Sequence, residues 1–235
     1  MDRTELETRF AQLTTANIAD GCLRAGVEVR CAPSPLRAVE PGKHLVGRAL
    51  PAQHVGSVDV FLEAFGNAED GDVLVVDNRG RLDESCVGDL VTLEAKGAGV
   101  SGILIWGLNR DSVDIRAIGL PVFSLGTIAT GPIHFVERPA DALTVARVGE
   151  WQVTRDDIVF GDEDGALFVP ADTLDAVLTC AEAIRDTERA QAERIAAGDS
   201  LRSQVRFAAY LAARELDPGL TFREHLRAVG GAVEV

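Results

Sequence analysis

Three charged residues at the two ends of one apolar stretch are the first candidates for chemistry. In GDLVTLEAKGAGVSGILIWGLNRD, residues 88–111, Asp89 stands near the start and the pair Arg110–Asp111 closes the stretch. A glycine-rich turn and an almost wholly apolar run lie between them. The charges are either ordinary solvated boundaries, or groups that the fold brings together to act on a ligand.

The segments between these charges predict that both ends reach one edge of a sheet. GDLVTLEAKGAG has the pattern of a helix that closes at Gly97, and SGILIWGL has the pattern of a buried strand. In a parallel α/β unit the crossover helix runs antiparallel to its strands. The N-terminus of helix 89–97 and the C-terminus of strand 102–107 therefore lie at the same rim, where open α/β sheets commonly bind ligands.

That rim would suit a small oxo-acid. The free backbone N–H groups of Leu90 and Val91 can bind a carboxylate at the helix N-terminus, and Arg110 can hold a second anionic oxygen. Asp89 and Asp111 can ligate a hard divalent cation such as Mg²⁺, which polarises a carbonyl. Spacing alone leaves a structural alternative open, in which the two aspartates cap helices and Arg110 bridges them.

A second glycine motif in the same stretch does not indicate a nucleotide site. GAGVSG, residues 97–102, matches G-x-G-x-x-G letter for letter. The dinucleotide fingerprint requires a strand before the motif and a helix after it, and this order is reversed here. The glycines are typical of a helix end and a tight turn. Methyl transfer to a quinone, a third functional hypothesis, therefore has no nucleotide loop to support it.

The bulk composition excludes several classes of partner. A net charge of −14 over 235 residues argues against nucleic acid and against an anionic membrane surface. MDRTELETRF lacks the apolar stretch of a secretory signal, and GVSGILIWGL is about half of a transmembrane span. The four cysteines are scattered, which is typical of reduced thiols in the cytoplasm, and Cys86 is expected to be a small buried filler.

The remaining pattern predicts one main α/β domain with a strand-rich second half. Helical periodicity covers residues 4–26, with Thr15 as the candidate cap of a short second helix ending at Gly26. HLVGRALPAQHV is predicted to be a strand interrupted at Pro51. Strands alternate with helices as far as residue 126, which indicates parallel βαβ units with right-handed crossovers.

After residue 140 the pattern changes to hairpins and then to long helices. Strand-like alternation predicts turns at Val148–Gly149 and Asp164–Gly165. Residues 171–197 and 200–216 predict two amphipathic helices, and the tail from Asp217 is expected to be an arm or a cap on a neighbour.

The other titratable residues have no spacing that indicates a site. The four histidines are interpreted as structural, and His54 is the one worth substituting because it lies near the predicted rim. Asp77 follows the first buried strand at the same rim, where it could support the site. Asp162 and Asp164 are interpreted as parts of a solvated hairpin turn.

The segment from residue 71 to residue 126, GDVLVVDNRGRLDESCVGDLVTLEAKGAGVSGILIWGLNRDSVDIRAIGLPVFSLG, resembles the RraA-like family. That family includes class II 4-hydroxy-4-methyl-2-oxoglutarate aldolases, which also decarboxylate oxaloacetate, and regulators of ribonuclease E. The mark of the aldolase branch is an aspartate, twenty residues, then Arg-Asp, which Asp89, Arg110 and Asp111 reproduce. Weaker similarity extends from about residue 15 to residue 200.

The resemblance implies an α/β fold, the swivelling β/β/α domain, with central parallel βαβ units, a strand-rich second half and C-terminal helices. This domain would occupy residues 1–200, and a C-terminal helical arm would occupy residues 201–235. The family assembles as trimers or hexamers with the site at a subunit interface. The resemblance therefore also implies a homo-oligomer.

The resemblance implies a role for each residue of the motif. Asp111 would ligate the metal, Mg²⁺ or Mn²⁺, and Arg110 would hold the substrate and stabilise an enolate. Asp89 would act through a water on the metal that serves in proton transfer. The loop that binds the pyruvyl carboxylate would consist of Gly88, Asp89, Leu90 and Val91. A glutamate from a neighbouring subunit, Glu188 or Glu193, would complete the metal shell.

The implied function is that of a divalent-metal-dependent lyase that cleaves a C–C bond in a 2-oxo acid. Retro-aldol cleavage of a 4-hydroxy-4-methyl-2-oxoglutarate-type substrate, or decarboxylation of oxaloacetate, would give pyruvate through a stabilised enolate. The alternative is a non-catalytic regulatory binding protein similar to the ribonuclease E regulator. Cys86, the bulky Trp106 and the C-terminal ending depart from the aldolase pattern, so the identity of the substrate stays open.

Overall fold

A mixed eight-stranded sheet organises residues 1–229, the part of the chain that this computed structural model describes. Within these residues the helices are α1 (Arg3–Phe10), α2 (Thr15–Ala25), α3 (Asp59–Gly66), α4 (Asp89–Gly97), α5 (Ser112–Ile118), α6 (Leu174–Ala196), α7 (Leu201–Gln204), α8 (Phe207–Leu216) and α9 (Phe222–Val229). The strands are β1 (Arg30–Cys31), β2 (Arg37–Ala38), β3 (Leu45–Gln53), β4 (Val73–Asp77), β5 (Ser85–Val87), β6 (Gly102–Trp106), β7 (Leu108–Asn109), β8 (Val122–Ser124), β9 (Ala146–Val148), β10 (Trp151–Val153), β11 (Asp157–Asp162) and β12 (Gly165–Pro170).

The centre of the large sheet is parallel and its flanks are antiparallel. Its strand order is β1-β12-β11-β3-β4-β6-β8-β2, and β3, β4, β6 and β8 run in the same direction. β9 and β10 form a separate hairpin, and β5 pairs with β7 in a short parallel ribbon. The predicted α/β fold with central parallel units, a strand-rich second half and C-terminal helices is confirmed.

Apolar residues on both faces of the parallel strands form two layers of core. In β6, Ile103 and Ile105 pack with α3, α4 and α5, whereas Leu104 packs on the opposite face towards β9 and β10. A third cluster lies between α1, α2 and α6 and the antiparallel strands β11 and β12. Burial on both faces explains why these strands are continuous apolar runs in the sequence. Among residues 1–229, no helix has both the length and the apolar character to cross a membrane.

Two local expectations near the start of the chain were wrong. The cap of α2 is Thr14, whose side chain accepts from the Asn17 amide in a capping box, whereas Thr15 bonds to the carboxylate of Asp162. β3 runs through Pro51 without interruption. β11 pairs with β3 only as far as Arg48, so at Pro51 the strand has a hydrogen-bonded neighbour only on the β4 side and tolerates the missing N–H.

The C-terminal region differs from the single helix predicted for residues 200–216. The helical segment is interrupted between α7 and α8, where Arg206 has a positive φ of 49°. α9 then packs back on α8 through the rings of Tyr210 and Phe222, and His225 Nε2 lies 2.8 Å from the Val205 carbonyl oxygen. The described part of the expected arm thus contacts its own subunit, and its last six residues lie outside the described part of the chain.

Truncation of Ile103 tests the core beneath the helices. Ile103 is fully buried in the central strand β6, so Ile103→Ala removes apolar contacts and leaves a cavity. We expect the free energy of unfolding to fall by about 2–5 kcal/mol, measured by urea denaturation with an unchanged m-value. Leu23→Ala, at an exposed position of α2, should change it by at most about 0.5 kcal/mol. Equal effects of the two substitutions would contradict this description of the core.

Candidate active site

A cleft of about 240 Å³ lies at the carboxyl ends of the parallel strands, at the rim that the sequence predicts. His54 follows the end of β3 and lines the cleft. The end of β5, the start of α4 and Arg110 line it as well. The cleft therefore contains the predicted substrate-binding residues Gly88, Asp89, Leu90, Val91 and Arg110.

The short β5–β7 ribbon brings the two ends of the motif into contact. Val87 pairs with Asn109, and the Arg110 amide donates to the Val87 carbonyl oxygen over 3.0 Å. A Cβ atom at Gly88 would lie 2.5 Å from Asp111 Oδ2 and 3.4 Å from Arg110 Nε. Gly88 itself has an ordinary extended conformation, so a side chain here would conflict with the present position of the Asp111 carboxylate and not with the backbone angle.

Asp111 is held in a conformation that few non-glycine residues adopt. Its φ and ψ are 57° and 38°, in the left-handed region, which aspartate tolerates better than most non-glycine residues and which is often found at functional sites. Its carboxylate, 37% exposed, lies 3.3 Å from Arg110 Nε and makes no capping hydrogen bond to α5. Gly88, and not Asp89, is the N-cap of α4. The structural alternative is therefore confirmed only in part: Asp111 is the N-cap of α5 and contacts Arg110, whereas Asp89 is not a cap and the Asp111 side chain makes no capping hydrogen bond.

A buried amide that sequence reasoning missed positions the Arg110–Asp111 turn. Asn109 is only 1% exposed, and its Nδ2 donates to Ser112 Oγ over 2.9 Å. Ser124 Oγ donates to Asn109 Oδ1 over 2.8 Å, which links the turn to the end of β8. The signal available in the sequence was a polar residue at the end of an apolar run, directly before Arg-Asp.

A second missed residue, Glu84, fixes the loop that borders Arg110. Its carboxylate is 1% exposed and accepts from the backbone amides of Ile133 and His134, at 2.7 and 2.9 Å, and from His134 Nδ1 at 3.0 Å. Burial alone would raise the pKa of Glu84, but these hydrogen bonds and the nearby Arg81 hold it below its usual value. The loop that contains Gly131, Ile133 and His134, the anchored loop, passes close to Arg110, since a Cβ atom at Gly131 would lie 2.8 Å from Arg110 Nη1.

Other candidates from the sequence have structural roles. Burial raises the pKa of the Cys86 thiol far above its usual value, as expected for a filler. The Asp77 carboxylate accepts from the amides of Arg79 and Arg147, so it secures a turn. Asp162, at the end of β11, is buried and accepts from Thr15, and the predicted hairpin turn joins β11 to β12.

The carboxylates of one chain suit a partly hydrated cation. Within residues 1–229, no group of three or more His, Cys, Asp and Glu side chains could hold a metal ion. Asp89 and Asp111 flank Gly88, and Mg²⁺ is commonly bound through one or two carboxylates, with substrate oxygens and water supplying the rest. Glu188 and Glu193 lie on α6, which packs against α2, and Glu188 accepts from Asn17 Nδ2. A role for either glutamate in a neighbouring subunit stays a prediction.

Comparison with known proteins finds relatives over most of this chain. DlpA of Legionella pneumophila is 29% identical over 202 residues, which cover 80% of this chain but only 31% of DlpA. A protein of Halalkalibacterium halodurans named "Putative 4-hydroxy-4-methyl-2-oxoglutarate aldolase" is 28% identical over 178 residues, 72% of this chain and 80% of that protein. This chain thus spans about a third of the first relative and most of the second.

A solved structure extends the likeness to three dimensions. Streptomyces coelicolor RraAS2, described as an unusual member of the RNase ES inhibitor RraA protein family, superposes with a TM-score of 0.69. It is 25% identical, and the match covers 80% of this chain and 96% of that chain. Residues 15–168, which contain the whole cleft motif, match the family model described as RraA-like, Aldolase/RraA. The chain therefore belongs to the RraA-like family.

Proposed function

We propose that the protein is a divalent-metal-dependent lyase that cleaves the C3–C4 bond of a 2-oxo acid and releases pyruvate. The reaction is retro-aldol cleavage of a 4-hydroxy-4-methyl-2-oxoglutarate-type substrate, decarboxylation of oxaloacetate, or both. The observation that carries the proposal is the contact of Gly88 with Arg110 and Asp111 at the start of α4. The name of the Halalkalibacterium relative supports the same chemistry.

The start of α4 binds the carboxylate of the substrate. The first hydrogen bond within α4 runs from the Thr92 amide to the Gly88 carbonyl oxygen, at 3.1 Å. The amides of Leu90 and Val91 precede it and, with the positive end of the helix dipole, attract an anion. Both residues line the cleft.

Arg110 stabilises the charge that develops when the C–C bond breaks. Its side chain is about half exposed and lies between the Asp111 carboxylate and the loop at Gly131. From there the guanidinium can donate to the keto oxygen as this becomes an enolate oxygen. Asp89 holds the water that serves in proton transfer.

The carboxylates of Asp89 and Asp111 are oxygen ligands of the kind that a divalent cation binds, which supports the proposed metal. Asp111 is the proposed direct ligand, with Mg²⁺ the expected ion and Mn²⁺ the alternative. When bound, such an ion supplies Lewis acidity to the carboxylate and keto oxygens of the substrate. A glutamate of a second subunit, Glu188 or Glu193, is the proposed additional ligand. The proposed place of action is the cytoplasm, in keeping with four cysteines that form no disulfide.

A non-catalytic regulatory protein is the second candidate. The likeness to RraAS2 over 96% of that chain favours it. A pure binding protein has no physical need for a strained Asp111 packed on Gly88 beside Arg110. The same assay separates the two candidates, since a lyase releases pyruvate and a regulator does not.

Substitutions in the motif test the lyase directly. Arg110→Lys should lower the rate of pyruvate release from oxaloacetate with Mg²⁺ by about 10²–10³, because it removes guanidinium donors to the developing charge. Asp111→Asn should lower this rate by about 10²–10³ as well, because it weakens the proposed direct ligand of the metal. A coupled lactate dehydrogenase assay measures the rate, and chelation of the metal should abolish it. Asp164→Asn, at the remote hairpin turn, is the matched control and should keep the wild-type rate. Wild-type rates in both motif variants would rule out this site.

We further propose that the cleft is completed by a second copy of the chain in a homotrimer or homohexamer. Helices α3, α4 and α5 lie side by side, and each exposes apolar side chains next to the cleft. A cluster of exposed apolar groups of this kind marks an interaction surface. Its members are Val58, Leu62, Leu90, Leu93 and Val113, with Ile133 and Phe135 on the neighbouring loop.

A charge placed on this surface should dissociate the oligomer. Leu93 is 56% exposed on α4 and is absent from the cleft lining, so Leu93→Glu spares the chemistry of a single chain. We expect light scattering after size exclusion to show a smaller species than the wild type. Leu23→Glu, at a 63% exposed position of α2, should keep the wild-type mass. A monomeric wild type, or an unchanged mass for Leu93→Glu, would contradict the proposed interface.

A further inference from the structure

His54 is a buried imidazole in the cleft that the motif does not include. It follows β3 directly, and its backbone amide donates to the Asp77 carbonyl oxygen over 2.9 Å. Its ring is only 4% exposed and stacks on Phe61, with 5.4 Å between ring centroids and 10° between planes. The ring is therefore held in one orientation at the cleft, which Arg110 also lines.

The contacts of the ring leave one nitrogen free. His54 Nδ1 lies 2.9 Å from Asn78 Oδ1, so Nδ1 carries the proton and donates to the amide oxygen. Nε2 has no hydrogen-bond partner among residues 1–229, and His54 lines the cleft. In the neutral ring Nε2 is thus an acceptor that no described protein group occupies.

The surroundings keep this ring neutral. Burial lowers the pKa of His54 below its usual value, against smaller opposite effects of the Asn78 hydrogen bond and of the Glu84 and Asp59 carboxylates. The other charged and titratable groups near the ring, or in the pockets that it lines, come from α3, from the turn after β4, from β5 and the chain on either side of it, from the turn after β7, and from the anchored loop. They are Asp59, Arg79, Arg81, Glu84, Cys86, Asp89, Arg110 and His134.

We propose that Nε2 of His54 accepts the proton of a hydroxyl group at C4 of the substrate, and that His54 thereby equips the site for aldol cleavage. The proposal rests on the lyase function proposed above. Arg110 and the start of α4 hold the 2-oxo acid end of the substrate. The remainder of the substrate then extends along the cleft, which His54 also lines.

The proton and electron balance assigns His54 to only one of the two reactions. In aldol cleavage the hydroxyl proton moves to Nε2, and the O–H electron pair becomes the new C4=O bond. The C3–C4 pair passes to C3 and gives the pyruvate enolate, which is then protonated at C3 while His54 returns its proton to solvent. In decarboxylation the C3–C4 pair is released by loss of CO₂ from a carboxylate, and no hydroxyl is deprotonated. A base at C4 therefore serves the first reaction alone.

His54→Asn is the variant that separates the roles of the two ring nitrogens. The Asn amide retains an N–H donor near the position of Nδ1, for Asn78, and removes Nε2. His44→Asn is the matched control, because His44 precedes the same strand β3 at its opposite end. Both variants are assayed with 4-hydroxy-4-methyl-2-oxoglutarate and with oxaloacetate, each with Mg²⁺.

We expect His54→Asn to lower kcat for aldol cleavage by about 10²–10⁴ and to leave oxaloacetate decarboxylation close to the wild-type rate. In the wild type, kcat/KM for cleavage should decrease on the acidic side of the ordinary imidazole pKa of about 6.5, because the imidazole takes up a proton there. The variant should lack this decrease at acidic pH. In ¹⁵N NMR spectra at pH 7, the His54 ring should carry its proton on Nδ1.

Each other outcome overturns a defined part of the inference. An equal loss of both activities in His54→Asn, unchanged cleavage, or a proton on Nε2 in the NMR spectra would overturn the role of His54. A wild type that decarboxylates oxaloacetate but cleaves no 4-hydroxy substrate would also overturn the role of His54, and the proposed lyase function would stand. A wild type without either activity would overturn the proposed lyase function itself.

Discussion

The close approach of Gly88 to the Arg110–Asp111 turn is the constraint on which the site depends. Two short parallel strands, β5 and β7, set this approach, and a Cβ atom at Gly88 would displace the Asp111 carboxylate from its present position. The same glycine is the N-cap of α4, so the first amides of α4 start where the carboxylate and the guanidinium meet. This contact thus brings the start of α4, the Arg110 guanidinium and the Asp111 carboxylate close together.

The surrounding contacts make this arrangement rigid. Asn109 and Ser124 bond beneath the turn, and Glu84 holds the loop that reaches Arg110 from the other side. These groups are buried, so breaking their hydrogen bonds would expose unpaired polar atoms in a region of low dielectric, which is costly. The network can therefore hold Asp111 in its left-handed conformation. Rigid placement of charged groups before the substrate binds is what electrostatic stabilisation of a developing charge requires.

The sequence predicted those parts of the fold that follow from periodicity and handedness. α4, β6 and their shared rim follow from a helical pattern, an apolar run and the antiparallel direction of a crossover helix. The continuation of β3 through Pro51 depends on where β11 stops pairing, which no local pattern records. Glu84 and the Ile133 amide are 49 positions apart and meet through a loop without periodicity. Contacts of that kind determine the site and leave only a faint local signal.

Charge balance at the cleft gives a physical reason for the proposed cation. Asp89 and Asp111 flank Gly88, and Arg110 offsets only one of them, in a chain whose net charge is −14. The proposed substrates are dianions, and two like charges 4 Å apart repel by about 4 kcal/mol at an effective dielectric constant of 20. The helix dipole of α4 contributes only about half a positive charge. In the proposed site, a divalent cation held by Asp111 would offset this repulsion, so the aspartates would then favour binding of the substrate instead of opposing it.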